Sequence, residues 1–196
     1  MVPNLNWAGT VHNAIDVQSF PFREDKEDFV LFLGRCSPDK GVHLAIDAAR
    51  EAGRRILLAT KINERAEREY FDAEIQPRLG PGVEHLGEAD AALKRELLAA
   101  ARCLVFPIQW EEPFGLVMVE AMPCGTPVVA LGHGAVPEVI VDGVTGFVRT
   151  KPDELAEAIE AVDQLSAVDC REHTRRHFDV EIMATGYERI YTELTS

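Results

Sequence analysis

Glu112-x7-Glu120 brackets the run Pro113-Phe114-Gly115-Leu116-Val117-Met118-Val119. An ionised carboxylate only accepts hydrogen bonds, and its two oxygens suit the vicinal hydroxyls of a sugar or a ribose. The run between the acids reads as the start of a helix. There the backbone N–H groups of Phe114, Gly115 and Leu116 lack intrahelical partners, and such a start attracts anions. A second constellation, Gly34-Arg35-x4-Lys40-Gly41, follows an apolar strand. Gly34 lets the backbone turn closely, Arg35 offers a planar fork to phosphate oxygens, and Lys40 offers a point charge. Cations beside a helix start oppose its dipole, and an anion between them would remove the conflict. The chemistry that unites these groups is that of a nucleotide-sugar: a diphosphate on the cations and amides, hydroxyls on the two acids. Plainer readings stand beside it, namely exposed cations near a helix and two surface acids in an acidic chain. Glu120 is the more telling acid, because it lies in the apolar run Leu116–Ala121, where a carboxylate needs donors that ribose hydroxyls would supply. Glu111 competes with Glu112 but finds no second acid at that spacing.

Lys61 leaves a second strand on the side where the phosphates are expected, or is one more surface lysine. His133 lies between Gly132 and Gly134, glycines that permit close approach of a ligand to the backbone; it is either a contact or a solvated residue. Trp110 shields the site or packs beneath its loop, and Phe114 stacks on a ligand or fills space. No GxGxxG, Walker A, GxSxG or zinc-binding pattern occurs, and no metal-binding carboxylate cluster is evident. Cations and amides are therefore expected to meet the phosphate charge, with no metal and no cofactor.

These residues need strands and helices to hold them. Phe29–Leu33, Ile56–Ala59, Val83–Gly87, Cys103–Phe106, Pro127–Ala130 and Thr145–Val148 read as six short apolar strands. Helical periodicity falls on Val42–Glu51, Glu64–Ile75, Ala89–Ala101, the stretch after Pro113, Val136–Val141, Asp153–Leu165, Val168–His177 and Val180–Leu194. Ser37 or Asp39 would cap the first of these. Alternating continuous strands and helices imply an α/β fold, a Rossmann-like parallel sheet covered on both faces. In such sheets ligands lie beyond the carboxyl ends of strands, where the loops Gly34–Gly41, Thr60–Asn63 and Gln109–Leu116 fall. Residues 1–20 read as a lead-in segment, 21–178 as the nucleotide-sugar-binding domain and 179–196 as a C-terminal helix. Arg23 to Asp28 reads as a solvated charge run.

The chain has 196 residues, 46% hydrophobic and 27% charged, with a formal net charge of −13. The size suits one domain with a full core. The charge argues against nucleic acid and against an anionic membrane surface as partners. Cys36, Cys103, Cys124 and Cys170 form no CxxC pair and read as buried reduced thiols. No apolar run approaches ~20 residues and no basic-then-apolar leader opens the chain, so a cytoplasmic location and no stable membrane insertion are expected.

Taken in order, Gly34-Arg35-x4-Lys40-Gly41, Phe106-Pro107, Glu112-Pro113-Phe114-Gly115-x4-Glu120-Ala121-x2-Cys124-Gly125-Thr126-Pro127-Val128 and Pro137-Glu138-Val139-Ile140-x-Asp142-Gly143-x-Thr145-Gly146-Phe147 resemble the retaining glycosyltransferases of family 4. That family has the GT-B fold, two Rossmann-like domains facing across a cleft. The resemblance implies that this chain is the C-terminal, donor-binding half and transfers a hexosyl group from a UDP- or GDP-sugar. It implies that Arg35 and Lys40 bind the diphosphate, Glu112 the sugar hydroxyls and Glu120 the ribose. It further implies that the amides of Phe114, Gly115 and Leu116 meet the sugar and β-phosphate, and that the base rests near Leu86, Gly87 and Glu88. Three departures accompany it. His12-Asn13-Ala14-Ile15-Asp16 carries Ala where the family has Gly; Thr60-Lys61-Ile62 replaces a glycine-rich loop; and the acceptor-binding N-terminal domain has no counterpart. The partner implied is that domain or a partner subunit, without which the chain would be inactive. The face of Ile182, Met183, Tyr187, Ile190, Tyr191 and Leu194 would then self-associate or fray. The alternative is a stand-alone nucleotide-sugar-binding module without turnover; a weaker third reading is a GT-B relative such as a sugar epimerase.

Overall fold

The structure, a computed structural model, describes residues 7–195. Six strands form one parallel sheet: β1 (Phe29–Arg35), β2 (Arg55–Lys61), β3 (Val83–Gly87), β4 (Cys103–Phe106), β5 (Val128–Leu131) and β6 (Gly146–Arg149), in the order β3-β2-β1-β4-β5-β6. Side chains alternate between faces with period two. Phe29 and Leu31 of β1, Leu104 and Phe106 of β4, and Val128 and Ala130 of β5 enter one core. Val30, Phe32, Cys103, Val105, Val129 and Leu131 enter the other. Both faces are covered, which is why these strands are apolar throughout.

The first face carries α3 (Ala91–Ala100), α4 (Leu116–Ala121), α5 (Val136–Val139) and α7 (Ala167–His177). The second carries α1 (Val42–Glu51), α2 (Arg65–Tyr70) and α6 (Leu155–Ala161). The chain winds outward from β1 in both directions, so α1 after β1 and α4 after β4 pack on opposite faces and leave a crevice at the carboxyl edge. The expected α/β class and strand set are observed.

Details differ at the ends of elements. Strands β1 and β2 run on to Arg35 and Lys61, so Thr60 and Lys61 belong to a strand rather than its exit loop. Helix α2 ends at Tyr70 and passes into a π turn (Phe71–Ile75), then a 3-10 turn over Gln76–Arg78 that contains Pro77. Neither Ser37 nor Asp39 caps α1. Pro38–Lys40 form a 3-10 turn, and the helix starts from Gly41 in the left-handed region at φ 70°. A Cβ at Gly41 would lie 2.2 Å from the Pro107 carbonyl oxygen.

The run Arg23 to Asp28 is not merely solvated charge. The Lys26 ammonium donates to Ala99 O (2.9 Å), Cys124 O (2.8 Å) and Thr126 Oγ1 (2.9 Å), tying the segment before β1 to the end of α3 and to the turn between α4 and β5. Arg171 of α7 donates to Pro123 O (2.6 Å) and Phe20 O (3.2 Å). Ile15 N donates to Phe178 O at 2.9 Å, and Val180 N donates to Ile15 O at 3.1 Å, where α8 (Val180–Thr195) begins. The four cysteines are buried and unpaired. Burial pushes the thiols of Cys103, Cys124 and Cys170 up to about 12 and that of Cys36 to about 11, which leaves them inert as nucleophiles. Among the described residues no helix is long and apolar enough to cross a membrane.

Candidate functional site

Two loops at the carboxyl edge are stitched together. Gln109 N donates to Asp39 O at 2.8 Å and Gln109 Nε2 to Pro38 O at 2.9 Å, joining the β4 exit to the β1 exit. A third loop closes from β5. Gly134 N donates to Glu111 Oε2 at 2.9 Å, and Ala135 N donates to Glu112 O at 2.8 Å. Gly134 has φ 59°, and a Cβ there would lie 2.3 Å from both the N and O of Glu112. Its close approach is to the protein's own backbone, and Gly132 packs against Val148.

The stitching brings Lys40 to Glu112. The Lys40 ammonium and Trp110 Nε1–H (3.0 Å) both donate to Glu112 Oε2, and Lys40 also lies 5.3 Å from the centre of the Trp110 ring. Trp110 therefore acts as a hydrogen-bond donor to Glu112. The side chains of Lys40 and Glu112 are only 15% and 12% exposed, so the pair is well shielded from water. Glu112 Oε1 receives no hydrogen bond among the described residues.

Lys40, Glu112, Gly34, Gly115 and Leu116 line a cleft of about 170 Å³ between the ends of β1 and β4. Arg35, Lys61 and Glu88 line a neighbouring cleft of about 240 Å³ with Ala59 and Ala89, and the two clefts share Leu33 and Gly34. Arg35 and Lys40 thus line adjacent clefts. Arg35 lies 3.6 Å from Asp39 and 3.6 Å from Glu67, and Lys61 lies 3.2 Å from Glu88. The amides of Asn63 and Glu64 hold the Glu67 carboxyl below the usual carboxylate range, so it faces Arg35 as an anion.

Helix α4 starts from Gly115 at φ 77°. The amides of Phe114, Gly115 and Leu116 make no hydrogen bond among the described residues. The Phe114 ring is buried against Phe178 and His12, which settles its side chain as core. Leu86 also packs against the core, and neither Leu86 nor Gly87 lines a cleft. His133 lies outside both clefts, 4.0 Å from Glu111.

Glu120 is 17% exposed and, as its apolar surroundings require, has a donor. That donor is Lys94 of α3, at 2.6 Å from Oε1, and Glu120 lines neither cleft. Lys94 was not singled out from the sequence, although a signal existed. It shares a helix face with the buried Leu97 and Leu98, three and four positions on, where a lysine needs an acid.

The arrangement offers one shielded acceptor (Glu112), cations at the ends of β1 and β2 and on the β1 exit (Arg35, Lys61 and Lys40), free amides at a helix start and an acid held by a lysine. Known proteins share its frame. The family profile described as glycosyl transferases group 1 matches residues 15–177. Glycogen synthase of Mycobacterium tuberculosis is 30% identical over 205 residues, covering 96% of this chain and 49% of that protein. The crystal structure of AviGT4, a glycosyltransferase of avilamycin A biosynthesis, superposes with a TM-score of 0.80 at 31% identity, over 95% of this chain and 58% of that one. Anabaena HepE, solved in complex with UDP, superposes with a TM-score of 0.79 at 26% identity, over 93% and 57%. The chain spans about half the length of the curated relatives it matches. It belongs to the group 1 glycosyl transferases.

Proposed function

We propose that this chain is the donor-binding half of a retaining GT-B glycosyltransferase of family 4, which takes a hexosyl group from a UDP- or GDP-sugar. The observation that carries this reading is the shielded Lys40–Glu112–Trp110 cluster at the switch point of the sheet, with Glu112 Oε1 open. Lys40 and Arg35 bind the diphosphate, helped by Gly34 and the amides of Phe114, Gly115 and Leu116. Glu112 accepts from the sugar hydroxyls. Glu120 accepts from the ribose, and the base lies in the cleft of Lys61 and Glu88. Its share of catalysis is electrostatic: cations fixed where negative charge grows as the diphosphate departs. The UDP bound by Anabaena HepE supports a nucleotide in this frame. The acceptor side comes from further polypeptide, in the same chain or a partner subunit, and transfer requires it. The alternative is nucleotide-sugar binding without turnover.

Calorimetry with UDP, GDP, ADP and their hexose conjugates tests the reading. One of these binds wild type, and Arg35→Ala, Lys40→Ala and Glu120→Ala each weaken it by about tenfold, the scale of a charged hydrogen bond. Unchanged affinity in all three variants sinks the assignment. Supplying the remaining domain and an acceptor pool then separates the readings, since transfer supports the enzyme and binding alone supports the module.

A further inference from the structure

The Lys94–Glu120 pair joins α3 to α4 through one carboxylate oxygen. Lys94 Nζ lies 2.6 Å from Glu120 Oε1, and no group among the described residues donates to Oε2. The lysine and the acid are 28% and 17% exposed, so water screens them poorly. Helix α3 holds Lys94 firmly. Its start is fixed by Asp90, whose Oδ1 accepts from Ala92 N (3.0 Å) and Leu93 N (2.8 Å), and its inner face buries Leu97 and Leu98. The acid sits in the second turn of α4, the helix whose start borders the cleft of Lys40 and Glu112.

We infer that Lys94 is a positioning residue for donor binding: it fixes Glu120 in one rotamer and leaves Oε2 to accept from the 2′- and 3′-hydroxyls of the donor's ribose. The inference rests on the nucleotide-sugar reading of the site. Each carboxylate oxygen is an acceptor, so Oε2 can serve the diol while Lys94 occupies Oε1. A carboxylate free to rotate would lose side-chain entropy on meeting the diol, a cost that Lys94 has already removed. Lys94 thereby sets a preference for ribonucleotides without touching the ligand.

The test is calorimetry on the full chain with UDP, GDP and ADP, each paired with its 2′,3′-dideoxy form. Wild type prefers the ribo form of its nucleotide by about tenfold or more. Lys94→Met abolishes that preference, leaves dideoxy binding within about twofold and leaves the fold intact by circular dichroism. Lys94→Arg restores the preference. If Lys94→Met does not fold, Lys94→Gln, which can still donate to Oε1, takes its place and shows a reduced preference. Equal weakening of ribo and dideoxy forms means a purely structural lysine and overturns the inference, as does a full ribo preference in Lys94→Met or Lys94→Gln. If Glu120→Gln loses the preference while the Lys94 variants keep it, this inference fails and the site reading stands. If wild type binds none of the nucleotides, the site reading fails and takes this inference with it.

Discussion

Lys26 shows how one side chain can set a pH response outside the clefts of Arg35 and Lys40. Its ammonium is saturated by two carbonyls and a hydroxyl, yet burial brings its pKa from 10.5 down to about 8. Below about pH 8 both folded and unfolded chains hold the proton, and the folded state carries the full desolvation cost. Between about 8 and 10.5 the unfolded chain still holds the proton while the folded chain has released it. Unfolding then takes up a proton, so this group's contribution to stability rises with pH across that window. Urea unfolding of wild type and Lys26→Met at several pH values checks this. Lys26→Met is less stable at neutral pH by about 1–3 kcal/mol, because Ala99 O and Cys124 O lose their donor. The gap widens towards pH 10. A gap that stays flat from pH 7.5 to pH 10 contradicts the assignment.

At the scale of elements, the site exists because three loops are pinned to one another, and Gly134 is the tightest pin. Gly134→Ala meets two obstacles, a positive φ of 59° and the Glu112 backbone at 2.3 Å. Gly143→Ala meets one, a φ of 75° with nothing within 4 Å of the new Cβ. Gly143→Ala therefore costs about 1–2 kcal/mol, the price of left-handed backbone alone, and leaves nucleotide affinity unchanged. Gly134→Ala costs more and weakens binding by displacing Glu112. Paired urea midpoints and calorimetry separate the two, and equal effects at both positions refute the pinning role. The same pins explain what the sequence made legible. Strands such as Phe29–Leu33 announce themselves because burial on both faces demands a continuous apolar run. The loops announce themselves because Gly34 lies at the end of β1 while Gly41 and Gly115 open α1 and α4. Partners across loops leave no such trace. Lys94 finds Glu120, Lys40 finds Glu112 and Arg35 finds Glu67 through side-chain reach between elements distant in sequence, and spacing along the chain does not encode that reach. Gly134 was legible as a close approach, but only the fold reveals that what approaches is Glu112.

At the scale of the whole molecule, the unbalanced feature is α8. None of its residues is buried, and Ile182, Tyr187, Tyr191 and Leu194 are each at least 45% exposed. The lead-in touches one side of it, where Val11 approaches Gly186 and Gly9 approaches Ile190. Beyond that side the helix offers apolar surface to water, which favours association or local opening. A net charge of −13 resists general aggregation, so contact is expected to be confined to this patch. Sedimentation velocity over a range of concentrations therefore shows reversible self-association, and Tyr187→Lys with Tyr191→Lys suppresses it without changing nucleotide affinity. In dilute solution the amides of 187–194 exchange faster than those of β1 and β4, whose strands lie in the middle of the sheet. Strong protection of 180–194 in a proven monomer excludes both association and fraying, because it requires the helix to be held by contacts that its exposed face does not make.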